Sequence, residues 1–310
     1  MPTHDPAPHR RRTARITLTA LATLVIAAAA TFALLYEPPP PPLPPLEITW
    51  TPAEPTQGHL FLIRVAAPPD SGAVSATGEA GGETLHFHAT DSGLESFAPV
   101  PINATDSIDA WVRATYPDGR TQADSLRIPI VEGTYEHERL TVAPRFGSPP
   151  NEEDQARLAR DREKTARVSR DAGATPRLWS PTMVMPRPYR VTSEFGTGRE
   201  FNGQISSRHM GLDLQGFTGD TVVAAADGVV ALVDGFLYAG NLVYLNHGGG
   251  VVSGYFHLSE QLVEAGDTVT AGTPIGRVGA TGRVTGPHLH WVVRYGSTTV
   301  DPRSLLALVR

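Results

Sequence analysis

The 310-residue chain has no cysteine. Disulfides and thiolate metal ligands are therefore excluded, a composition that suits an oxidising compartment. Lysine is nearly absent too: Lys164 stands alone against 25 arginines, a bias of genome composition and not of function. There is no excess of positive charge. The formal charge is −6; residues 1–35 carry Arg10, Arg11, Arg12 and Arg15 against Asp5, a sum of +3, which leaves −9 for the rest. That balance argues against nucleic acid as a partner.

Long apolar runs are scarce as well, and the one present is at the N-terminus. Ile16 to Leu35 is 20 residues without a charge. As a helix it matches one bilayer crossing, at about 1.5 Å per residue. The arginines before it predict a cytoplasmic tail over 1–15 and an anchor over 16–36, with the rest of the chain on the outer, periplasmic or extracellular, side. A cleaved signal is the rival, but its apolar core is normally about 7–15 residues, shorter than this. Cleavage would make the protein secreted. Pro38 to Pro42, Leu43, Pro44 and Pro45 predict an extended polyproline spacer over 37–46 that holds the remainder of the chain off the membrane.

Three further segments are expected. In 47–145, short alternating runs (59–65, 84–88, 110–116) and the turn Pro117-Asp118-Gly119 predict an immunoglobulin-like β-sandwich accessory domain. Within it, His86-Phe87-His88 reads as strand surface, and nothing suggests chemistry. In 146–181, Asn151 as N-cap and Glu152, Glu153 and Asp154 behind it predict an exposed linking helix. From 182 to 310 the chain is rich in Val, Gly and Thr. Runs at 221–225, 228–233, 241–245 and 251–256 predict an antiparallel β-sheet domain. The whole chain is thus expected to be mainly β.

That last segment holds five of the 11 histidines, from His209 to His290. Ser207-Arg-His-Met-Gly-Leu-Asp213 and Gly286-Pro-His-Leu-His-Trp291 supply imidazoles and a carboxylate, the donors zinc takes from side chains other than cysteine. In His288-Leu289-His290 the two imidazoles share one strand face, roughly 7 Å apart. His209 and Asp213 would be about 13 Å apart on a straight strand, so a bend at Gly211 is needed if both are to reach one ion. His137-Glu138 opens a helical zinc-protease motif, but Thr141 stands where its second histidine belongs.

Residues 187–302 resemble the lysostaphin-type, or LytM-type, peptidoglycan metalloendopeptidases. The resemblance rests on His209-x-Gly211-x-Asp213, His247-Gly248, Tyr255-x-His257-Leu258-Ser259, and Gly279-x-Thr281-Gly282-x-x-Thr285-Gly286-Pro287-His288-Leu289-His290. It departs from the family at Trp291, where Phe is commoner, and at Gly254. The resemblance implies an open groove holding one zinc per chain on His209, Asp213 and His290. It implies that His257 and His288 flank the water the metal activates and carry the proton transfers. It further implies an endopeptidase acting on the peptide cross-links of peptidoglycan. Tyr255 is expected to assist and His247 to line the groove or serve the fold. The alternative is an envelope protein that regulates other wall hydrolases, or an enzyme held latent with Asn202 or a neighbour on the metal.

Overall fold

The computed structural model describes residues 40–43, 45–66, 72–180 and 182–309, together with Leu24 and Thr31. The expected anchor over 16–36 lies outside the described residues apart from Leu24 and Thr31, as do residues 37–39 and 44 of the spacer. Among the described residues, no helix is long and apolar enough to cross a membrane. Residues 46–310 form one compact unit.

The unit is mainly β and almost wholly antiparallel. Two four-stranded sheets occupy its N-terminal part. One runs in the order Ile48–Thr51, Leu60–Ala66, Gly93–Pro99, His88–Thr90; the other runs Glu83–Thr84, Ser75–Ala80, Ser107–Thr115, Thr121–Pro129. Ser107–Thr115 shows the strict alternation of a strand with one wet face, burying Ile108, Ala110, Val112 and Ala114. It folds back through the Pro117-Asp118-Gly119 turn, where Gly119 N–H bonds Tyr116 O. The run 84–88 is not one strand: the chain leaves the second sheet after Thr84 and joins the first at His88.

Leu60–Ala66 has no wet face. Phe61, Ile63 and Val65 are fully buried, while Leu60 and Leu62 belong to the same apolar cluster as Trp179, Leu212 and Tyr295. The accessory sheets and the C-terminal sheet therefore share a core. Phe97 stacks on Trp179 with ring centroids 5.7 Å apart, and Ser96 Oγ lies 3.2 Å from the Tyr295 hydroxyl. His86 and His88 lie at this junction, half-buried, with His88 Nε2 against Arg177. Their reading as strand surface is corrected by that contact.

An eight-stranded sheet carries the C-terminal part, in the order Val191–Ser193, Leu212–Gln215, His288–Tyr295, Val251–Leu258, Gly240–Gly248, Gly228–Phe236, Thr268–Val269, with Thr298–Val300 also pairing His288–Tyr295. A small sheet of Thr221–Val223, Pro274–Arg277 and Glu260–Gln261 accompanies it. A third sheet, Ile205–Arg208, Gly198–Phe201 and His137–Leu140, brings a segment from before the helix into the C-terminal part; His137–Leu140 runs parallel to Gly198–Phe201.

The expected helix is Glu152–Ala174, and Asn151 caps it by accepting Asp154 N–H at 2.8 Å. It is not an exposed link. It buries Asp161, Val168, Ser169 and Ala172, one helical face, against the sheet. Asp161 accepts Leu237 N–H at 2.9 Å, and Lys164 pairs with Asp234 at 2.5 Å.

Candidate metal centre and active site

The site grows from a change of sheet. Ile205–Arg208 ends in the three-stranded sheet, and Leu212–Gln215 begins in the eight-stranded one. The chain between them, His209 to Gly211, makes the bend that the spacing required. A side chain at Gly211 would meet Trp291 O at 2.6 Å and the His290 ring at 2.8 Å, so only glycine fits there. Asp213 then pairs in register with His290 across the strands.

His209 Nε2, Asp213 Oδ1 and His290 Nδ1 converge. The separations are 3.0 Å for His209–Asp213, 2.9 Å for His209–His290 and 2.8 Å for Asp213–His290. Donors on one tetrahedral zinc, with bonds near 2.0–2.1 Å, stand about 3.3 Å apart, so the set fits such an ion closely. The tautomers fit as well. His209 Nδ1–H donates to Glu194 O at 2.7 Å, which leaves Nε2 as the free lone pair. Burial pushes His290 down to about 4 against the pull of Asp213, so its imidazole is neutral. Burial alone would raise Asp213, but the imidazoles of His209 and His290 beside it hold it well below the usual carboxylate range.

His257 and His288 stand beside this trio. His288 Nε2 is 3.5 Å from Asp213 Oδ1, and the His257 and His288 ring centroids are 5.0 Å apart. Each spends its Nδ1–H on a backbone carbonyl, Thr281 O for His257 and Gly286 O for His288, both at 2.8 Å. Each Nε2 is thereby left to hold or release a proton.

His257 gets its aim from a bulge. In the pairing of Gly240–Gly248 with Val251–Leu258, Asn241 faces Leu258 and Val243 faces Tyr255, so Phe256 and His257 oppose Leu242 alone. His257 takes φ +63°, a left-handed conformation that costs a non-glycine residue of order 1–3 kcal/mol. Without the extra residue it would follow Tyr255 onto the core face.

Tyr255 itself does not reach the site. It is fully buried, and its hydroxyl accepts Ala225 N–H at 2.8 Å and lies 2.9 Å from Ser253 Oγ. His247 belongs to the same network, 2.7 Å from Ser253 Oγ and donating to Asp227 O at 2.7 Å. It serves the fold and does not line the groove. Burial pushes it from 6.5 down to about 4. The unfolded chain therefore binds this proton at a higher pH than the native one. The stability His247 confers is complete above about pH 6.5 and drains as pH falls toward 4, by about 3 kcal/mol. His247→Asn is expected to flatten the acid limb of stability between those values. Urea unfolding of both proteins across this range measures it; parallel limbs would clear His247 of the effect.

Asn202 is not on the metal trio either. At φ +50° in the hairpin turn, its amide accepts Val142 N–H at 2.9 Å and donates to Val142 O at 3.1 Å. It ties the hairpin to the chain just after His137–Leu140.

The sequence alone does not single out Arg199. Its Nη2 donates to Asp213 Oδ2 at 2.5 Å and Ser193 Oγ at 2.8 Å, and its Nε lies 3.4 Å from Glu138 of His137–Leu140. With Oδ2 held, Oδ1 is turned to the imidazoles. Arg199→Gln is expected to weaken metal binding by about 10–100-fold, the usual range for an outer partner of a ligand. Competition against a chelator of known affinity tests this, and an unchanged constant would mean that Asp213 is oriented by other groups.

Two recesses of about 280 and 210 Å³ flank the trio. Both are lined by Arg199, Phe201, His257 and Arg283, which form the waist of one groove. The Arg283 guanidinium lies between two rings there, 4.2 Å from the centre of Phe201 and 4.1 Å from that of Tyr238.

Residues 207–302 match the model of Peptidase family M23, so this part of the chain is an M23 domain. The peptidoglycan DD-endopeptidase ShyC of Vibrio cholerae is 39% identical over 118 residues, 37% of this chain and 27% of that protein. The DD-carboxypeptidase/endopeptidase Mpg of Neisseria meningitidis is 38% identical over 116 residues, again 37% and 27%. The chain thus spans about a quarter of the length of these curated relatives. In fold, a crystal structure from Pseudomonas aeruginosa assigned to peptidase M23 superposes with a TM-score of 0.63 at 22% identity, covering 82% of this chain and 96% of that one. The likeness in fold therefore extends well beyond the M23 domain.

Proposed function

We propose that the chain is a zinc-dependent endopeptidase that hydrolyses the peptide cross-links of peptidoglycan. The observation that carries this reading is the convergence of His209 Nε2, Asp213 Oδ1 and His290 Nδ1 within 2.8–3.0 Å, with two further imidazoles beside them. His209, Asp213 and His290 would hold one zinc. When bound, it supplies Lewis acidity that polarises a carbonyl and lowers the pKa of water. The chain's own groups do the rest. Arg199 and Glu194 O hold the ligands in place. His257 and His288 present an Nε2 each, one to take a proton from water and one to return a proton to the leaving amine. Their backbone partners keep the rings from turning. The named activities of ShyC and Mpg support peptidoglycan as substrate.

Purified sacculi are the test. Zinc-loaded full-length protein is expected to release soluble fragments whose new termini, read by mass spectrometry, lie at peptide bonds. A chelator should stop the release and zinc restore it. A zinc-loaded protein that leaves sacculi intact points instead to a regulator of other hydrolases. We further propose that residues 16–36 anchor the chain, with the M23 domain on the outer side; the 20 uncharged residues of 16–35 and the preceding arginines support this. The mature protein should begin near Met1 and sediment with membranes. A start near Thr31 in a soluble protein would mark a cleaved signal.

A further inference from the structure

The groove contains a guanidinium that no acid among the described residues neutralises. Among the described residues, Arg283 has no carboxylate within ion-pair distance, whereas Arg199 beside it is paired with Asp213 and Glu138. No side-chain hydrogen bond of Arg283 is formed among these residues either, yet none of its nitrogens is sealed from solvent. Its unspent N–H groups therefore open onto the groove. Arg208, the other arginine of the smaller recess, gives an N–H to Gly196 O.

Arg283 is also held rigidly. Its backbone N–H bonds Tyr238 O at 2.9 Å. Gly282 before it, at φ +78°, passes so close to Tyr238 O and Gly240 that a Cβ would collide with both. Thr281, one residue earlier, gives its carbonyl to His257 Nδ1. The Phe201 and Tyr238 rings fix the plane of the guanidinium without using its donors. A flat, weakly hydrated cation with a free fork of donors, beside a proton-carrying histidine, suits a carboxylate better than any neutral group.

The chemistry of the substrate limits where that carboxylate can be. The residue on the acyl side of a cross-link has spent its carboxyl group in the scissile bond. On the amine side, a diamino dicarboxylic acid joined through its second amino group keeps a free carboxylate on the very carbon that carries the scissile nitrogen. We propose that Arg283 is the receptor for this carboxylate and sets the specificity of the groove for the amine side of the bond. The proposal rests on the peptidase reading above and narrows its substrate class. It favours bonds whose amine-side residue is anionic and disfavours internal glycine bridges.

Zinc-loaded full-length protein is given two peptides with the same D-alanyl amide. One places it on the second amino group of a diamino dicarboxylic acid whose adjacent carboxylate is free; the other carries a carboxamide at that position. Uncleavable versions, with a methylene in place of the scissile carbonyl, report binding by calorimetry. A charged hydrogen bond of this kind is worth about 10–100-fold. The wild type is expected to favour the carboxylate by that factor in kcat/KM and in affinity. In Arg283→Gln the ratio should fall close to one, and Arg283→Lys should keep part of it. Equal handling of the two peptides by the wild type overturns the proposal and leaves the peptidase reading intact. Discrimination in binding without any cleavage keeps Arg283 as receptor and sinks the peptidase reading. Pentaglycine cut as fast as the carboxylate peptide overturns the proposal as well. A terminal D-alanyl-D-alanine offers the same carboxylate on the same carbon, and its rate against that of the cross-link identifies which source the groove serves.

Discussion

Asp213→Ala is expected to cost the protein its zinc and its wall hydrolysis together. Asp213 Oδ1 stands between the two imidazole donors at 3.0 and 2.8 Å, and His288 Nε2 is 3.5 Å away. No other carboxylate among the described residues joins this cluster, so no neighbour can replace it. The variant has a second consequence. Arg199 would lose its 2.5 Å partner while its side chain remains only 14% exposed. Glu138, 3.4 Å from its Nε, would be left as its carboxylate partner, so the alanine variant should also melt earlier, by less than the about 3–5 kcal/mol that a fully orphaned buried charge costs. Asp213→Asn separates the two effects. The amide keeps the shape and an acceptor for Arg199 but not the charge a metal ligand needs. It should recover much of the lost stability and little of the metal. Metal analysis and thermal melts of both variants provide the readout. Unchanged zinc stoichiometry in either would remove Asp213 from the ligand set.

Much of this site can be read from the chain because its spacing has a period. His288 and His290 are two apart on a strand, and both do face the groove across Leu289, which is fully buried. The bend at Gly211 follows from the distance once His209 and Asp213 are taken to share one ion, as the family resemblance implies. The features that escape depend on partners distant in sequence. Arg199 looks like any charged residue of a hairpin, and its contacts with Asp213 and Glu138 exist only in the folded chain. The aim of His257 is set by cross-strand register, which no local pattern encodes. The docked face of Glu152–Ala174 is built from Asp161, Val168, Ser169 and Ala172, too polar and too small to read as an apolar stripe. Tyr255 misleads for the opposite reason: a motif tyrosine near a catalytic histidine reads as a reactant, though strand alternation puts it in the core.

His288→Ala and His290→Ala should part company, and their contrast carries the assignment of the whole strand. The two histidines are chemically alike and share a face, but their nitrogens are committed differently. His290 turns Nδ1 to Asp213 and His209, at 2.8 and 2.9 Å. His288 spends Nδ1 on Gly286 O, and its Nε2 stays 3.5 Å from Asp213 Oδ1. Removing His290 deletes a donor of the converging trio, so both metal and activity should go. Removing His288 leaves all three donors where they are. Zinc should remain near one per chain, while hydrolysis falls by about 10²–10⁴-fold, the usual worth of a positioned acid or base. The two purified variants need only metal analysis and a sacculus assay. Zinc lost from His288→Ala and kept by His290→Ala would exchange the two roles. Zinc and hydrolysis retained in both would mean that the strand His288–Tyr295 does not carry the active site, and the peptidase reading built on it would fall.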